Sequence, residues 1–223
     1  GRGEIMLEAS FENESRVLAL DLTLDEASGG IAATLLNLPD SPAIALTLQG
    51  EGPLDDYTAD LALATDGTDR LTGRVALSGT EDGGLAFDAG LDGDLTPLMA
   101  EQYQAFFGAE SAVAVAGTSG GDGALDIDRL RVTAAQLDLD GTLSLDAQGW
   151  PTRFNLTGNI GADDGPVRLP VAGPPVTLGR AEIDARYDAA TGEDWTADIA
   201  LTEFSQPDLA LESAIAKLDK FHL

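Results

Sequence analysis

Leu137-Asp138-Leu139-Asp140-Gly141-Thr142-Leu143-Ser144-Leu145 sets leucine or glycine at every odd position and a polar residue at every even one through Ser144. A period of two is the period of a β-strand, whose successive side chains point to opposite faces. The stretch reads as a strand with one apolar face and one wet face.

The rhythm recurs in both directions from there. Upstream it appears as Leu18, Leu20, Leu22 and Leu24, then Ile44, Leu46 and Leu48, then Tyr57, Ala59, Leu61 and Leu63. Leu71, Val75 and Leu77 follow, and then Leu85, Phe87 and Leu91. Downstream it returns as Phe154, Leu156 and Ile160, as Ile183, Ala185 and Tyr187, and as Trp195, Ile199 and Leu201. Asp, Thr, Ser, Arg and Ala fill most positions between. Gly29-Gly30, Asp66-Gly67, Asp82-Gly83-Gly84, Gly120-Gly121-Asp122-Gly123 and Asp164-Gly165 punctuate the runs. These are turn residues: Gly supplies positive φ and Asp bonds its own backbone. Strand starts lie about 10 to 16 residues apart, the spacing of an antiparallel meander, and the helical stretches of a βαβ chain are missing.

One segment departs from the pattern. Thr96 to Gly108 carries helical signals, with Thr96 as N-cap, Pro97 at the first helical position and Gly108 as C-terminal cap. Leu98, Met99, Tyr103, Phe106 and Phe107 concentrate bulky apolar side chains there. The expectation is one short α-helix over 96–107 that plugs one end of the β structure. Residues 161–180 hold four prolines, which limits strand pairing and predicts an edge or crossover.

The composition narrows the chemistry. Of the 223 residues, 39 are acidic and 12 basic, for a formal charge of −27. Such a field repels nucleic acid and anionic headgroups, so no nucleic-acid partner is expected. Its simplest role is to keep an apolar-rich β protein in solution. The absence of Cys excludes thiol catalysis, disulfides and thiolate zinc sites. The one histidine, His222, reads as an exposed terminal residue and leaves no basis for a Ser-His-Asp set or a His-rich metal site. Carboxylate pairs are unavoidable at this acid content and give no specific sign of a glycosidase. Gly120-Gly121-Asp122-Gly123-Ala124-Leu125 starts like a calcium nonapeptide, but Leu125 stands where the ligand Asp belongs and the unit does not repeat. No catalytic residue, metal or cofactor is expected. No apolar run is long enough to span a bilayer. A start at Gly1 and a strand-like end suggest a piece of something longer, with any anchor outside it.

Several stretches resemble the periplasmic region of TamB-like proteins, the translocation and assembly module family related to AsmA, in its alphaproteobacterial form. Gly52-Pro53-Leu54-Asp55-Asp56-Tyr57-Thr58-Ala59-Asp60-Leu61 is similar to a strand opening repeated in that family. Asp66-Gly67-Thr68-Asp69-Arg70-Leu71-Thr72-Gly73 resembles the hairpin that follows it. Leu95 to Gly108 resembles a helical insert. Leu125-Asp126-Ile127-Asp128-Arg129-Leu130, Leu137-Asp138-Leu139-Asp140-Gly141, Gly149-Trp150-Pro151, Asp164-Gly165-Pro166-Val167 and Leu169-Pro170 continue the likeness, over roughly residues 15 to 205. The resemblance implies a periplasmic, inner-membrane-anchored structure whose anchor lies outside this chain. It further implies a greasy groove serving lipid passage or outer-membrane protein assembly with a barrel partner, and no catalytic residues.

The resulting expectation is all-β, a single elongated antiparallel segment over 1–223 folded into a groove or taco-like β-solenoid with an apolar interior. Its lining would be Leu18, Leu20, Leu22, Ile44, Leu46, Leu48, Leu61, Leu63, Val75, Leu77, Leu85, Phe87, Leu137, Leu139, Leu143, Leu145, Phe154 and Leu156. The partners would be phospholipid acyl chains or outer-membrane protein client strands. A surface-exposed structural or adhesive β protein is the alternative. A carbohydrate-active enzyme is disfavoured by an aromatic content of 5%.

Overall fold

The computed structural model describes residues 3–14, 16–163, 165–192, 194–207 and 209–222, without the side chains of 217–222. The strand signals are realised as one antiparallel sheet that does not close on itself. Its strands are β1 (Gly3–Glu12), β2 (Val17–Glu26), β3 (Ile44–Pro53), β4 (Asp56–Thr65), β5 (Thr68–Gly79), β6 (Leu85–Gly93), β7 (Ser111–Ser119) and β8 (Leu125–Ala134). They continue as β9 (Leu137–Leu145), β10 (Pro151–Gly161), β11 (Val167–Arg168), β12 (Thr177–Leu178), β13 (Arg180–Asp188), β14 (Asp194–Gln206) and β15 (Leu209–His222). Each strand from β1 to β9 pairs with the next, β10 pairs with β13, and β13, β14 and β15 follow in order.

Residues 161–180 do not carry the chain across the sheet. Thr177 pairs with Ser205 and Arg180 with Thr202, one register, so β12 and β13 form a single lane interrupted at Gly179. β11 faces β12 through Val167↔Leu178, just as β10 faces β13. The prolines sit in the hairpin that prolongs these two lanes. Asp164 lies outside the described residues.

Turn chemistry fixes the register. Asp66 and Gly67 both have positive φ (50° and 75°), the geometry of the tight hairpin turn whose twist matches its strands. Three other hairpins share one design. Gly83, Gly123 and Gly149 sit at positive φ, and loop hydrogen bonds run from Thr80 N to Gly84 O, Gly120 N to Ala124 O and Asp146 N to Trp150 O. In the second of these, Asp122 Oδ1 accepts from Ala124 N at 3.1 Å, so that carboxylate serves the turn.

In a meander, alternate connections fall at opposite ends of the strands. All the long connections fall at one end: residues 27–43, 94–110 and 162–179. At the other end the connections are short hairpin turns. The first insert contains a helix that sequence reading missed, α1 (Ile31–Leu35). Its cap comes from outside the local sequence. The Glu26 carboxylate, 6% exposed, accepts from Ile31 N at 2.6 Å, Ala32 N at 2.8 Å and Ala33 N at 3.4 Å. Gly30 is required beside it, since a Cβ there would lie 1.9 Å from Glu26 Cδ.

The second insert corrects the single helix expected over 96–107. A 3-10 turn at Thr96–Leu98 breaks at Met99, whose ψ of 149° is extended, and α2 then runs over Glu101–Phe107. Thr96 does not act as a side-chain cap. It is itself held by Asp94, whose Oδ1 accepts from Thr96 N at 2.9 Å. Pro97 and Gly108 take the expected positions, at the start of the turn and at the C-cap of α2. The insert is pinned to the rim: the Phe107 and Phe106 carbonyls accept from Ala135 N at 2.9 Å and Gln136 N at 3.1 Å.

Burial follows the inserts. Leu98, Phe106, Val167, Leu178 and Ala181 are buried at that end, as are Ala33, Ile44 and Thr65. Among the buried side chains of the described residues, only Tyr57, Ala59 and Ala197 lie away from it. A sheet whose buried side chains gather at one rim exposes much surface. The chain exposes 13705 Å², against about 9,600 Å² for a compact monomer of its mass.

The Glu26 cap gives a test. Glu26→Ala leaves three amides of α1 without an acceptor and is expected to cost about 1–3 kcal/mol in urea unfolding. Glu8→Ala on the same sheet should stay within about 0.5 kcal/mol of wild type. Equal effects from the two would remove the capping role.

Candidate functional site

Directly paired residues of antiparallel strands share a face, so the register reads out both surfaces. Starting at Leu7, one row crosses the sheet through Leu22, Leu48, Leu61, Gly73, Leu91 and Val113. It continues through Val132, Leu139, Gly158, Ile183, Ile199 and Ala216. The next row holds Ala9, Leu20, Gly50, Ala59, Val75, Ala89 and Val115. It ends with Leu130, Gly141, Leu156, Ala185, Ala197 and the register position of Leu218. Neither row contains a polar or charged residue. At about 4.8 Å between strands, each row runs for about 58 Å.

All eighteen lining positions inferred from sequence fall on this face. Leu46, Leu63 and Leu137 stand one row toward the insert end. Leu18, Leu77, Phe87, Leu143 and Phe154 stand one row toward the hairpin end, with Leu85 and Leu145 beyond them. Ile44 differs from the others: it is 2% exposed and packed at the insert end. Val75 is 38% exposed, and the remaining sixteen are half-buried. Of the plug residues, Leu98 and Phe106 are buried, while Met99, Tyr103 and Phe107 are half-buried. Tyr103 carries the Arg168 guanidinium 5.9 Å from its ring centroid, linking the second insert to the third.

Glycines on this face are filled from the neighbouring strand. A Cβ on Gly158 would lie 2.7 Å from Leu139 Cδ1, and one on Gly141 would lie 3.0 Å from Leu156 Cδ1. The leucine opposite lies over each gap, so the surface stays continuous where the side chain is missing. A hollow of about 230 Å³ lies among Leu48, Ala59, Leu61, Val75, Leu91 and Val113. A second, of about 90 Å³, lies under Leu95 and Phe107 where the insert meets Leu71 and Val132.

The opposite face is ionic. Arg74 Nε donates to Asp60 Oδ1 at 2.7 Å, Arg129 NH2 to Asp88 Oδ2 at 2.7 Å, and Arg186 Nε to Asp184 Oδ1 at 2.7 Å. The hydrogen bond from Arg74 holds the Asp60 carboxyl below its ordinary range, and that from Arg186 does the same for Asp184. These pairs are exposed and stabilise little. A hollow of about 880 Å³ lies on this face among Glu8, Asp21, Gln49, Glu51 and Asp60. It is wide, open and lined by carboxylates. Ligand pockets are mostly apolar with a few convergent polar groups, so the apolar face is the stronger candidate despite its smaller hollows. Among the described residues no three His, Cys, Asp or Glu side chains are grouped to hold a metal ion. No helix among them is long and apolar enough to cross a membrane. The side chain of His222 lies outside the described residues.

Comparison with known protein families, curated proteins and solved structures finds no match to this chain.

The ionic pairs predict a pH signature. Asp60 has a lowered folded pKa, so its contribution to stability is present above the unfolded value, about 3.9, and is lost as the pH falls through the folded value. Followed by NMR, the Asp60 carboxyl should titrate below the ordinary range, and Arg74→Ala should return it there. An unchanged titration in Arg74→Ala would assign the shift to another cause.

Proposed function

We propose that the chain is a non-enzymatic segment of a TamB-like envelope bridge whose apolar sheet face carries acyl chains past water. The observation that supports this reading most is the pair of rows free of polar side chains, in an unclosed sheet whose buried side chains gather mainly at one rim. Soluble monomers rarely expose apolar patches beyond about 300–600 Å². Two rows some 58 Å long and two residues deep, about 7 Å per row, already exceed that. The sequence resemblance to TamB-like proteins points the same way and adds the setting: the periplasm, an inner-membrane anchor outside this chain, and an outer-membrane barrel partner.

The physics suits a carrier of acyl chains. Apolar contact is non-directional, and a buried methylene gains about 0.8 kcal/mol. A sixteen-carbon chain half covered by the face would therefore gain about 6 kcal/mol. That holds a lipid against water yet allows it to slide between equivalent rows. The acidic face repels anionic headgroups, which disfavours lipid on the wrong side. An outer-membrane protein client would use the same surface differently, by laying the apolar side of a strand against it.

The test replaces residues of the apolar face by charge. Leu46→Asp and Leu139→Asp put a carboxylate into the apolar surface near each half of the sheet. With the fold retained by circular dichroism, lipid recovered with the purified chain, measured by mass spectrometry, should fall several-fold. Unfolding of both variants would identify these leucines as ordinary core. Unchanged lipid in folded variants would remove the carrier role.

A further inference from the structure

Away from both outer strands, the apolar face has one place where its side chains stand free. In β2 to β14, the large apolar side chains among the described residues are buried or half-buried, except Val75 at 38%, Leu91 at 36% and Val113 at 42% exposed. All three line the hollow of about 230 Å³ in the middle of the sheet. Small neighbours make this hollow. Val75 stands between Ala59 and Ala89, and Leu91 stands between Gly73 and Val113. A Cβ on Gly73 would lie 3.1 Å from Leu91 Cδ1, so the leucine lies over the glycine. Leu91 and Val113 also line the hollow of about 90 Å³ under Leu95 and Phe107. The two hollows therefore share a wall and follow one another along β5 from Val75 to Leu71, about 14 Å.

The lining decides what fits. Arg74 borders the first hollow, but its guanidinium is engaged with Asp60 on the opposite face. In the second, Ser111 Oγ donates to Phe107 O at 2.8 Å, and Thr133 shares the opposite face with Asp138. No charged side chain points in, and the strand amides and carbonyls around the hollows are paired in the sheet. A peptide laid across this floor would leave its own amides and carbonyls without partners, which is costly. A hydrocarbon chain has none to satisfy. The narrowing toward the insert suits the end of a linear chain rather than a ring.

We infer that the two hollows are a seat for one acyl chain, which lies along β5 across the rows with its terminal methyl under Leu95 and Phe107. The inference rests on the acyl-carrier reading and adds a fixed station and an orientation to it. The insert closes one end of the seat, so the chain enters from the hairpin end. Its headgroup stays beyond Leu77 and Phe87, which continue the apolar face in that direction.

The experiment uses the chain with lysophosphatidylcholine carrying one sixteen-carbon acyl chain, below its micellar concentration. Calorimetry should show saturable binding. Ala89→Phe fills the first hollow and should weaken binding at least about fivefold, while Ala185→Phe, in the same row on β13, should stay within about twofold of wild type. Val113→Phe, at a side chain that is already exposed, makes the same test if Ala89→Phe unfolds. Nuclear Overhauser effects from the terminal methyl of the bound chain should reach Leu71, Leu95 and Val132, and those from the methylene beside the carbonyl should reach Leu77 and Phe87. Equal binding by the β6 and β13 variants, or methyl contacts spread evenly along the rows, would overturn the seat and leave the carrier reading standing. No binding to the wild-type chain would overturn both.

Discussion

Apart from β7, which is apolar on both faces, the long strands each carry one mainly apolar face, and among the described residues all strands belong to one sheet. Packed layers are the usual solution for an amphipathic sheet. Here the packing is confined to one rim, where Leu98 and Phe106 from the α2 insert meet Val167, Leu178 and Ala181. Over the rest of the apolar surface, neighbouring strands fill one another's gaps. Leucines opposite glycine, as at Leu139 and Gly158 or Leu156 and Gly141, keep those lateral contacts dense. The large exposed area, the half-buried leucines and the long polar-free rows all follow from this one arrangement.

The ionic face shows how the sheet tolerates its charge. From β5 onward several acids have an arginine beside them, as Asp88 has Arg129 and Asp140 has Arg131, so part of the repulsion is offset locally. The first four strands carry only acids. That asymmetry lies within one sheet and does not show in the total of −27.

The period-two rhythm made the strand faces legible because alternation in sequence maps directly onto alternation in space. In the strand register Leu137 to Leu145 and the upstream leucine runs share one face. β7 was harder to read, since Ala112, Val113, Ala114, Val115 and Ala116 are apolar on both faces. β1 was passed over although Ile5, Leu7, Ala9 and Phe11 alternate with Glu4, Glu8 and Glu12. Helix α1 could not be found locally, because its cap is Glu26, five residues before the first amide it binds. Thr96 likewise lacks its expected capping role, since Asp94, two residues earlier, accepts from Thr96 N instead. Pairing order within 161–180 depended on β14, far away in the chain. Signals carried by one residue and its neighbours were visible, while those set by a distant strand were not.

The central claim is that the two apolar rows face water or lipid, not more protein. Because the chain has no Cys, single cysteines can be placed on the rows at Leu48, Leu91 and Leu139, and on the acidic face at Thr47 and Asp138. Their maleimide labelling rates, with and without phospholipid, test the claim most directly. Row cysteines should label readily in lipid-free protein and become protected when phospholipid is added, while the acidic-face cysteines stay unchanged. Row cysteines that are inert in both states, or that react identically in both, would contradict it.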